Sequence, residues 1–385
     1  MQTQERRDIM KKNLRIIISG GGTGGHIFPA VSIANAIMEL RPDTEILFVG
    51  AEGRMEMHRV PAAGYPIKGL PIAGFDRKNL LKNIPVLIKL FKSQRLARKI
   101  VKDFRPHAAV GVGGYASGPT LKVVGSMGIP TLLQEQNSYA GVTNKLLAKQ
   151  AKKICVAYEG MERFFEKDKI ILTGNPIRQG LRNHNMTREE AISSFGLNPN
   201  KQTILILGGS LGARTINQCL IDNLDRIKSS DVQFILQTGK IYIEEAQIAK
   251  AKTGELPMLY VTDFISDMAT AYSAADLVIS RAGAGSISEF CLLQKPVILV
   301  PSPNVAEDHQ TKNALALVNK NAALYVKDLE AKELLLTKAI EAVNQPELLK
   351  NLSKNIAVLA FTDSANIIAK EVIKLAEKYK NEHGC

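Results

Sequence analysis

The sequence predicts an α/β protein of two similar halves, and three observations predict it. Short apolar runs rich in β-branched residues alternate with amphipathic stretches along most of the chain, the pattern of parallel sheets flanked by helices. The layout of strand, glycine-rich turn and helix at Leu14–Ile37 returns at Thr203–Leu220. A chain of 385 residues, 45% of them hydrophobic, can bury more than one core.

The first half is a series of βα units. Leu14–Ser19 is a buried strand, Gly20–Gly25 a turn, and a helix is expected to begin near Phe28-Pro29, because proline suits a first helical turn. The turn satisfies G-x-G-x-x-G through Gly20, Gly22 and Gly25, and Glu52 follows the next strand, Glu45–Gly50, where a ribose-binding acid would stand. A dinucleotide-dependent oxidoreductase is therefore one reading. That fingerprint requires neither Thr23 nor His26, and a histidine at the mouth of a glycine-rich loop is a catalytic candidate. Ala108–Gly118 reads as strand and glycine-rich turn, with Tyr115 and Ser117 placed to meet a ligand. Thr131–Asn137 is a strand whose end presents Gln134, Glu135 and Asn137, and a helix follows around Gly141–Lys149. Ile154–Ala157 and Ile170–Leu172 complete the series, and Gly174–Arg178 reads as a linker.

Charge is unevenly divided. Of the net +13, residues 1–180 contribute 28 basic against 14 acidic side chains, and the remainder is close to neutral. Such a field implies a polyanionic partner for the first half: nucleic acid, an anionic membrane or a phosphorylated substrate. Ten of the basic residues lie in 75–105, where Ile84, Leu87, Ile88 and Phe91 fall at helical spacing among lysines and arginines. Two readings fit this segment, a core-packed helix with a solvated basic face and a helix that meets an anionic membrane surface. Aromatics make up 5% of the chain, with no Trp and no interleaving with basic residues, which argues against a nucleic-acid platform.

In the second half, Thr203–Leu207 is a strand, Gly208–Gly212 a turn and Ala213–Leu220 a helix; Gln233–Gln237, Leu259–Val261, Leu277–Ser280 and Val297–Val300 are further strands. Arg281–Ser286 reads as a loop, with a helix from Ile287 that carries Glu289 one turn in, where a carboxylate can take two vicinal hydroxyls. Glu307-Asp308-His309-Gln310 is a cluster of four polar residues after a strand end, the side on which open α/β sheets bind ligands. Asp363-Ser364 caps a last helix running to about Lys378.

Five motifs carry a resemblance: G-G-G-T-G-G-H at 20–26, G-V-G-G-Y-A-S-G-P at 111–119, Q-E-Q-N at 134–137, G-G-S-L-G-A-R at 208–214, and R-A-G-A-G-S-I-S-E from 281 followed by E-D-H-Q-T-K-N-A from 307. Together they resemble the nucleotide-sugar glycosyltransferases of the GT-B fold, more narrowly those that add N-acetylglucosamine (GlcNAc) to lipid I in peptidoglycan synthesis. The resemblance implies two Rossmann-like domains facing each other across a cleft. Residues 1–176 would form an acceptor and membrane-associated domain, completed by the C-terminal helix 364–385, and 177–363 a donor domain. It implies that Arg178 and the Phe264-Ile265 pair hold uracil, that Ser210 contacts the diphosphate and that Glu289 takes the ribose diol. Ala284, Gly285, Ser286, Asn137 and Gln310 would surround the GlcNAc, with Thr23, Gly24 and Gly25 beside the donor. Gly22, Thr23, His26, Gly114, Tyr115 and Ser117 would meet the acceptor, with His26 or Glu135 as the base. Gly285 departs from the family pattern, in which a bulkier residue is common, and its backbone N–H remains for the contact.

The chemistry sets further expectations. No Asp-x-Asp occurs, so helix N-termini and cations would meet the diphosphate charge, without a metal site or a cofactor. The expected partners are UDP-GlcNAc, the undecaprenyl-linked lipid I and an anionic membrane surface, with cell-wall or division complexes possible and no nucleic acid. The start of the chain has no apolar segment before its first strand, no run of about 18 apolar residues occurs, and Cys155, Cys219 and Cys291 read as reduced core residues. A peripheral enzyme at the cytoplasmic face of the cell membrane is the resulting expectation. A UDP-GlcNAc 2-epimerase shares the architecture and is the nearest competing activity; run 111–119 and the basic segment favour the transferase.

Overall fold

The computed structural model describes residues 13–72, 74, 84–177, 181, 186–208 and 212–384. The expectations placed on Arg178, on Ser210 and on the 75–83 part of the basic segment lie outside the described residues. The chain divides into two compact units, Met1–Arg178 with Asp363–Cys385, and Gln179–Thr362.

In the first unit seven strands form one parallel sheet. They are β1 (Arg15–Ser19), β2 (Glu45–Ala51), β3 (Ile67–Leu70), β4 (Ala108–Gly111), β5 (Thr131–Glu135), β6 (Lys153–Val156) and β7 (Ile170–Leu172), ordered β3-β2-β1-β4-β5-β6-β7. The central strand feeds two cores, because side chains alternate across a strand. Ile16 and Ile18 pack with Ile33 and Ile37 of the helix Gly24–Leu40, whereas Ile17 packs with Leu121, Leu133 and Ile154 on the other face. Burial on both faces is why β1 reads as an unbroken apolar run. The last helix, Ser364–His383, returns to this unit and sets Ile368, Val372 and Ala376 into the same core as Ile33. An Arg41–Glu377 ion pair ties it to the end of the first helix.

The second unit repeats the plan. Its strands β8 (Thr203–Leu207), β9 (Gln233–Gln237), β10 (Leu259–Thr262), β11 (Leu277–Ser280), β12 (Val297–Leu299) and β13 (Leu324–Tyr325) are ordered β10-β9-β8-β11-β12-β13, again parallel. In both sheets the strand order reverses beside the first strand of the unit, between β1 and β4 and between β8 and β11. Loops that follow those strands diverge there and leave room for a ligand.

The structure departs from the sequence reading in three places. The first helix begins at Gly24, so Pro29 lies inside it and Gly24, Gly25 and His26 form its first turn. The helix expected from Ile287 begins at Ala284, which puts Ala284, Gly285 and Ser286 on its first turn. Strands β3 and β13 were not anticipated; both are short, half-exposed edges with little apolar pattern to read. The helix Ile84–Phe104 buries Val86, Ala97 and Val101 but leaves Leu87, Ile88 and Phe91 54%, 55% and 70% exposed, with Lys89, Lys92, Arg95, Arg98 and Lys99 also in solvent. Leu87, Ile88 and Phe91 therefore do not pack into the core; their stripe lies on the outer surface. Cys155, Cys219 and Cys291 are buried free thiols.

A buried histidine links β1 to the start of β4. The Arg15 N–H donates to His107 Nδ1 at 3.0 Å, and the Arg15 side chain donates to the Arg105 carbonyl at 2.8 Å. Burial first, then the charges of Arg15 and Lys380, push the His107 pKa down to about 4 from 6.5. The folded state thus favours neutral imidazole. Its contribution is complete above the ordinary value near 6.5 and is lost as pH falls toward 4. His107→Gln keeps an acceptor for the Arg15 N–H but does not titrate. Chemical denaturation from pH 7 to pH 4 should cost the wild type about 2–3 kcal/mol more than the variant. Parallel stability curves for the two proteins would refute this role.

Candidate functional site

In the first unit, two glycine turns nest at the point where the strand order reverses. Gly21 and Gly22, after β1, have φ of +145° and +86°, and Gly113 and Gly114, after β4, have +88° and +84°, a region open to glycine and strained for other residues. A Cβ on Gly114 would collide with the Gly21 backbone, so the two turns touch backbone to backbone. The buried carboxylate of Glu56 fixes the first turn, accepting the N–H groups of Gly22 at 2.8 Å and Ala51 at 3.0 Å. The Glu56 side chain occupies the place a Cβ on Gly21 would take, and Glu52, the expected ribose ligand, is exposed.

His26 lies over this nest. Its Nδ1 is 3.0 Å from the Gly21 carbonyl, which can only accept, so Nδ1 carries the proton and Nε2 is the basic nitrogen. Thr23 Oγ1 lies 3.3 Å from Nδ1 and, as a hydroxyl, can accept from that N–H. A Cβ on Gly113 would lie 2.9 Å from Nε2, so glycine at 113 keeps room for the ring. Among the described residues the N–H groups of Gly24 and Gly25 make no hydrogen bond and remain donors at the helix start. Tyr115 is half-exposed beside Gly114, and the hydroxyl of Ser117 is buried without a partner among the described residues.

Glu135 is placed differently from a base. It is 1% exposed, and its two oxygens accept from the N–H of Asn137 at 3.1 Å, its side-chain amide at 3.3 Å, the Gly141 N–H at 2.9 Å and Asn144 Nδ2 at 2.9 Å. Burial pushes its carboxyl above the usual range, and those donors pull against the shift. Glu135 organises the turn after β5. Asn137, expected beside the sugar, is bound into that turn through its amide.

In the second unit the corresponding point lies between β8 and β11. Arg281, directly after β11, pairs with Asp328 and donates to the carbonyls of Val300 at 3.1 Å and Pro301 at 3.2 Å, while Thr215 donates to Asp328 Oδ2 at 2.9 Å. This network joins the segments after β11, β12 and β13 to the helix Arg214–Ile221 that follows β8. The helix Ala284–Leu292 starts two residues past Ala282, and a Cβ on Gly285 would meet nothing within 4 Å. Gly285 is thus required neither by packing nor by a positive φ, and its N–H and that of Ser286 lie in the first helical turn. One turn on, Glu289 is half-buried, and the buried Tyr272 donates its hydroxyl to Oε2 at 2.8 Å, which orients the carboxylate. Phe264 is 48% exposed next to the buried Ile265. Gln310 accepts the Ser302 N–H through Oε1 at 2.8 Å, which makes its amide nitrogen the outward donor. Glu307 and Asp308, with φ of +57° and +52°, make the tight corner that leads into the helix His309–Val318.

The structure gathers Gly22, Thr23, Gly24, Gly25, His26, Gly114, Tyr115, Ser117, Glu135 and Asn137 at the ends of β1, β4 and β5 in the first unit. It places Phe264, Ile265, Ala284, Gly285, Ser286, Glu289 and Gln310 at the ends of β10, β11 and β12 in the second. Sequence reasoning missed Glu56, Tyr272, and the Arg281–Asp328 pair. Each acts on a loop distant in sequence; Tyr272 precedes Glu289 by 17 positions on a different helix, so no local spacing marks it.

Comparisons with known proteins follow the same division. Residues 16–156 match the glycosyltransferase family 28 N-terminal domain and residues 203–368 the family 28 C-terminal domain. The chain is 81% identical over 375 residues, 97% of its length and 100% of the relative's, to a UDP-N-acetylglucosamine–N-acetylmuramyl-(pentapeptide) pyrophosphoryl-undecaprenol N-acetylglucosamine transferase of Phocaeicola vulgatus. A relative of the same name from Porphyromonas gingivalis is 56% identical, covering 95% of this chain and 97% of that one. Among solved structures, MurG of Acinetobacter baumannii superposes with a TM-score of 0.75 at 26% identity, covering 94% of this chain and 99% of its own. A putative UDP-N-acetylglucosamine 2-epimerase from Listeria monocytogenes reaches 0.68 at 12% identity, covering 96% and 97%, a likeness of fold alone. The two sheets are those of the GT-B fold, and the chain belongs to glycosyltransferase family 28.

Proposed function

We propose that this chain transfers GlcNAc from UDP-GlcNAc to the C4 hydroxyl of the N-acetylmuramyl unit of lipid I, giving lipid II for peptidoglycan, with inversion at the anomeric carbon. The observation that carries the proposal is the 81% identity, over 97% of the chain, to a transferase of that name. The geometry agrees with it chemically. In the second unit Glu289, oriented by Tyr272, takes the ribose diol, and exposed Phe264 with the Ile265 segment takes uracil. Arg178 and Ser210 are assigned to uracil and diphosphate by the family motifs. The N–H groups of Gly285 and Ser286 and the amide of Gln310 meet the sugar and the departing diphosphate, each hydrogen bond to charge contributing about 1.5–3 kcal/mol.

In the first unit His26 is the base. Nε2 removes the C4 hydroxyl proton as that oxygen attacks the anomeric carbon and UDP leaves, and the Gly21 carbonyl stabilises the imidazolium through Nδ1–H. Gly22, Gly114 and Tyr115 line the acceptor, whereas the expected Ser117 is fully buried, and Thr23, Gly24 and Gly25 supply helix-start donors toward diphosphate. Glu135, with its oxygens already taken by four donors, positions Asn137. His26→Ala should lower kcat by about 10²–10⁴ while UDP-GlcNAc binding stays nearly intact. A raised acceptor KM with unchanged kcat would instead make His26 a cationic ligand for the acceptor diphosphate.

The exposed stripe supports a peripheral membrane reading for the first unit at the cytoplasmic leaflet. No described helix is long and apolar enough to cross a membrane. Leu87, Ile88 and Phe91 would enter the interface, and Lys89, Lys92, Arg95, Arg98 and Lys99 would meet anionic headgroups, each worth about 1 kcal/mol near such a surface. Screening over about 10 Å at 0.1 M salt makes this docking sensitive to ionic strength. Flotation with vesicles of graded anionic lipid content should carry the wild type, and lose the variant with Lys89, Lys92, Arg95 and Lys99 changed to Glu. Equal flotation would reduce the helix to a solvated basic face.

A further inference from the structure

We propose that Gln237 is a positioning residue for the nucleotide, fixing the base-binding segment Phe264-Ile265 to the end of β9. The proposal rests on the donor reading above and deepens it. Gln237 ends β9, between the two segments in the sheet order, and is 5% exposed. Its backbone carbonyl accepts the Gly208 N–H at 2.9 Å, at the entry to the glycine-rich turn after β8. Its side-chain Oε1 accepts the Ile265 N–H at 2.9 Å. One residue therefore holds Gly208, directly after β8, through its main chain and the base segment through its side chain.

The surrounding backbone makes this corner rigid on both sides. On the β8 side, a Cβ on Gly208 would lie 2.9 Å from the Gln237 carbonyl oxygen, and a Cβ on Gly212 would lie 2.7 Å from that of Thr238. Gly208 and Gly212 are thus laid directly against the Gln237-Thr238 main chain. On the β10 side, Thr238 N–H donates to the Thr262 carbonyl at 2.9 Å and Gly239 N–H to the Asp263 carbonyl at 3.1 Å. These backbone bonds end at Asp263. Two residues further on, the Ile265 N–H is tethered by a side chain, and exposed Phe264 lies between the two anchors. The side-chain bond from Gln237 thus sets the conformation in which Phe264 and Ile265 are offered to a base. With Oε1 committed, Nε2 has no partner among the described residues and is a further donor at the same corner.

Substitution separates the two tethers, because only one uses the side chain. Gln237→Met is close in volume, keeps the carbonyl that holds Gly208 and removes the acceptor for Ile265. The Gly208 bond should persist and the base segment should loosen. The experiment measures wild type and Gln237→Met for binding of UDP-GlcNAc, UDP and inorganic diphosphate, with amide hydrogen exchange over residues 263–266. The variant should bind UDP about tenfold more weakly and diphosphate within twofold of wild type, with KM for the donor raised, kcat within twofold and faster exchange at 263–266. Exchange and UDP affinity equal to wild type would overturn the proposal, as would an equal loss for UDP and diphosphate, which would mark a general structural role. Failure of the wild type to bind UDP-GlcNAc would instead overturn the donor reading itself.

Discussion

Three carboxylates, those of Glu56, Glu135 and Glu289, and the donors each one faces, organise the functional regions. A buried carboxylate is costly unless its oxygens are hydrogen-bonded, so each must find donors or remain near water. Glu56 finds two backbone N–H groups and thereby shapes the turn beneath His26. Glu135 finds four donors and shapes the turn that carries Asn137. Glu289 is only half-buried, and the Tyr272 hydroxyl orients it. The first two are buried and build loops, whereas the third stays accessible to a ligand. The same residue type thus serves as scaffold or as ligand according to how far the chain encloses it.

The two sheets explain why these groups gather where they do. In each, the first strand of the unit lies in the middle, and the order reverses next to it. Ile16, Ile17 and Ile18 illustrate the constraint on that central strand: each is fully buried, on alternating faces, in two different cores. A strand so fixed delivers its following loop to a defined place. Gly114 then lets two backbones approach more closely than any side chain would permit, and Gly113 leaves the space that His26 occupies.

Much of this was legible in the sequence, and what was not has a physical cause. Buried strands such as Leu277–Ser280 declare themselves by apolar, β-branched runs, and the glycine turns by composition. Helix starts were misplaced by three to four residues at Ala284 and Gly24, because glycine and proline were given their local preferences while neighbouring loops held the backbone helical. Edge strands β3 and β13 bury too little to leave a pattern. The apolar spacing at Leu87, Ile88 and Phe91 fitted a core face as well as a surface, and only their exposure decided between the two. Glu56, Tyr272, Gln237 and Asp328 act across 17 to 47 positions or more, so no window of local sequence contains both partners.

The division of labour among the carboxylates is tested most directly by the affinity for UDP of Glu289→Ala, measured by calorimetry beside wild type. Removing a charged acceptor from two hydroxyls should weaken UDP binding by roughly 1–3 kcal/mol, with the UDP-GlcNAc loss parallel because the ribose is common to both. Unchanged UDP affinity would show that Glu289 does not hold the ribose and would contradict the account of the second unit as the donor site.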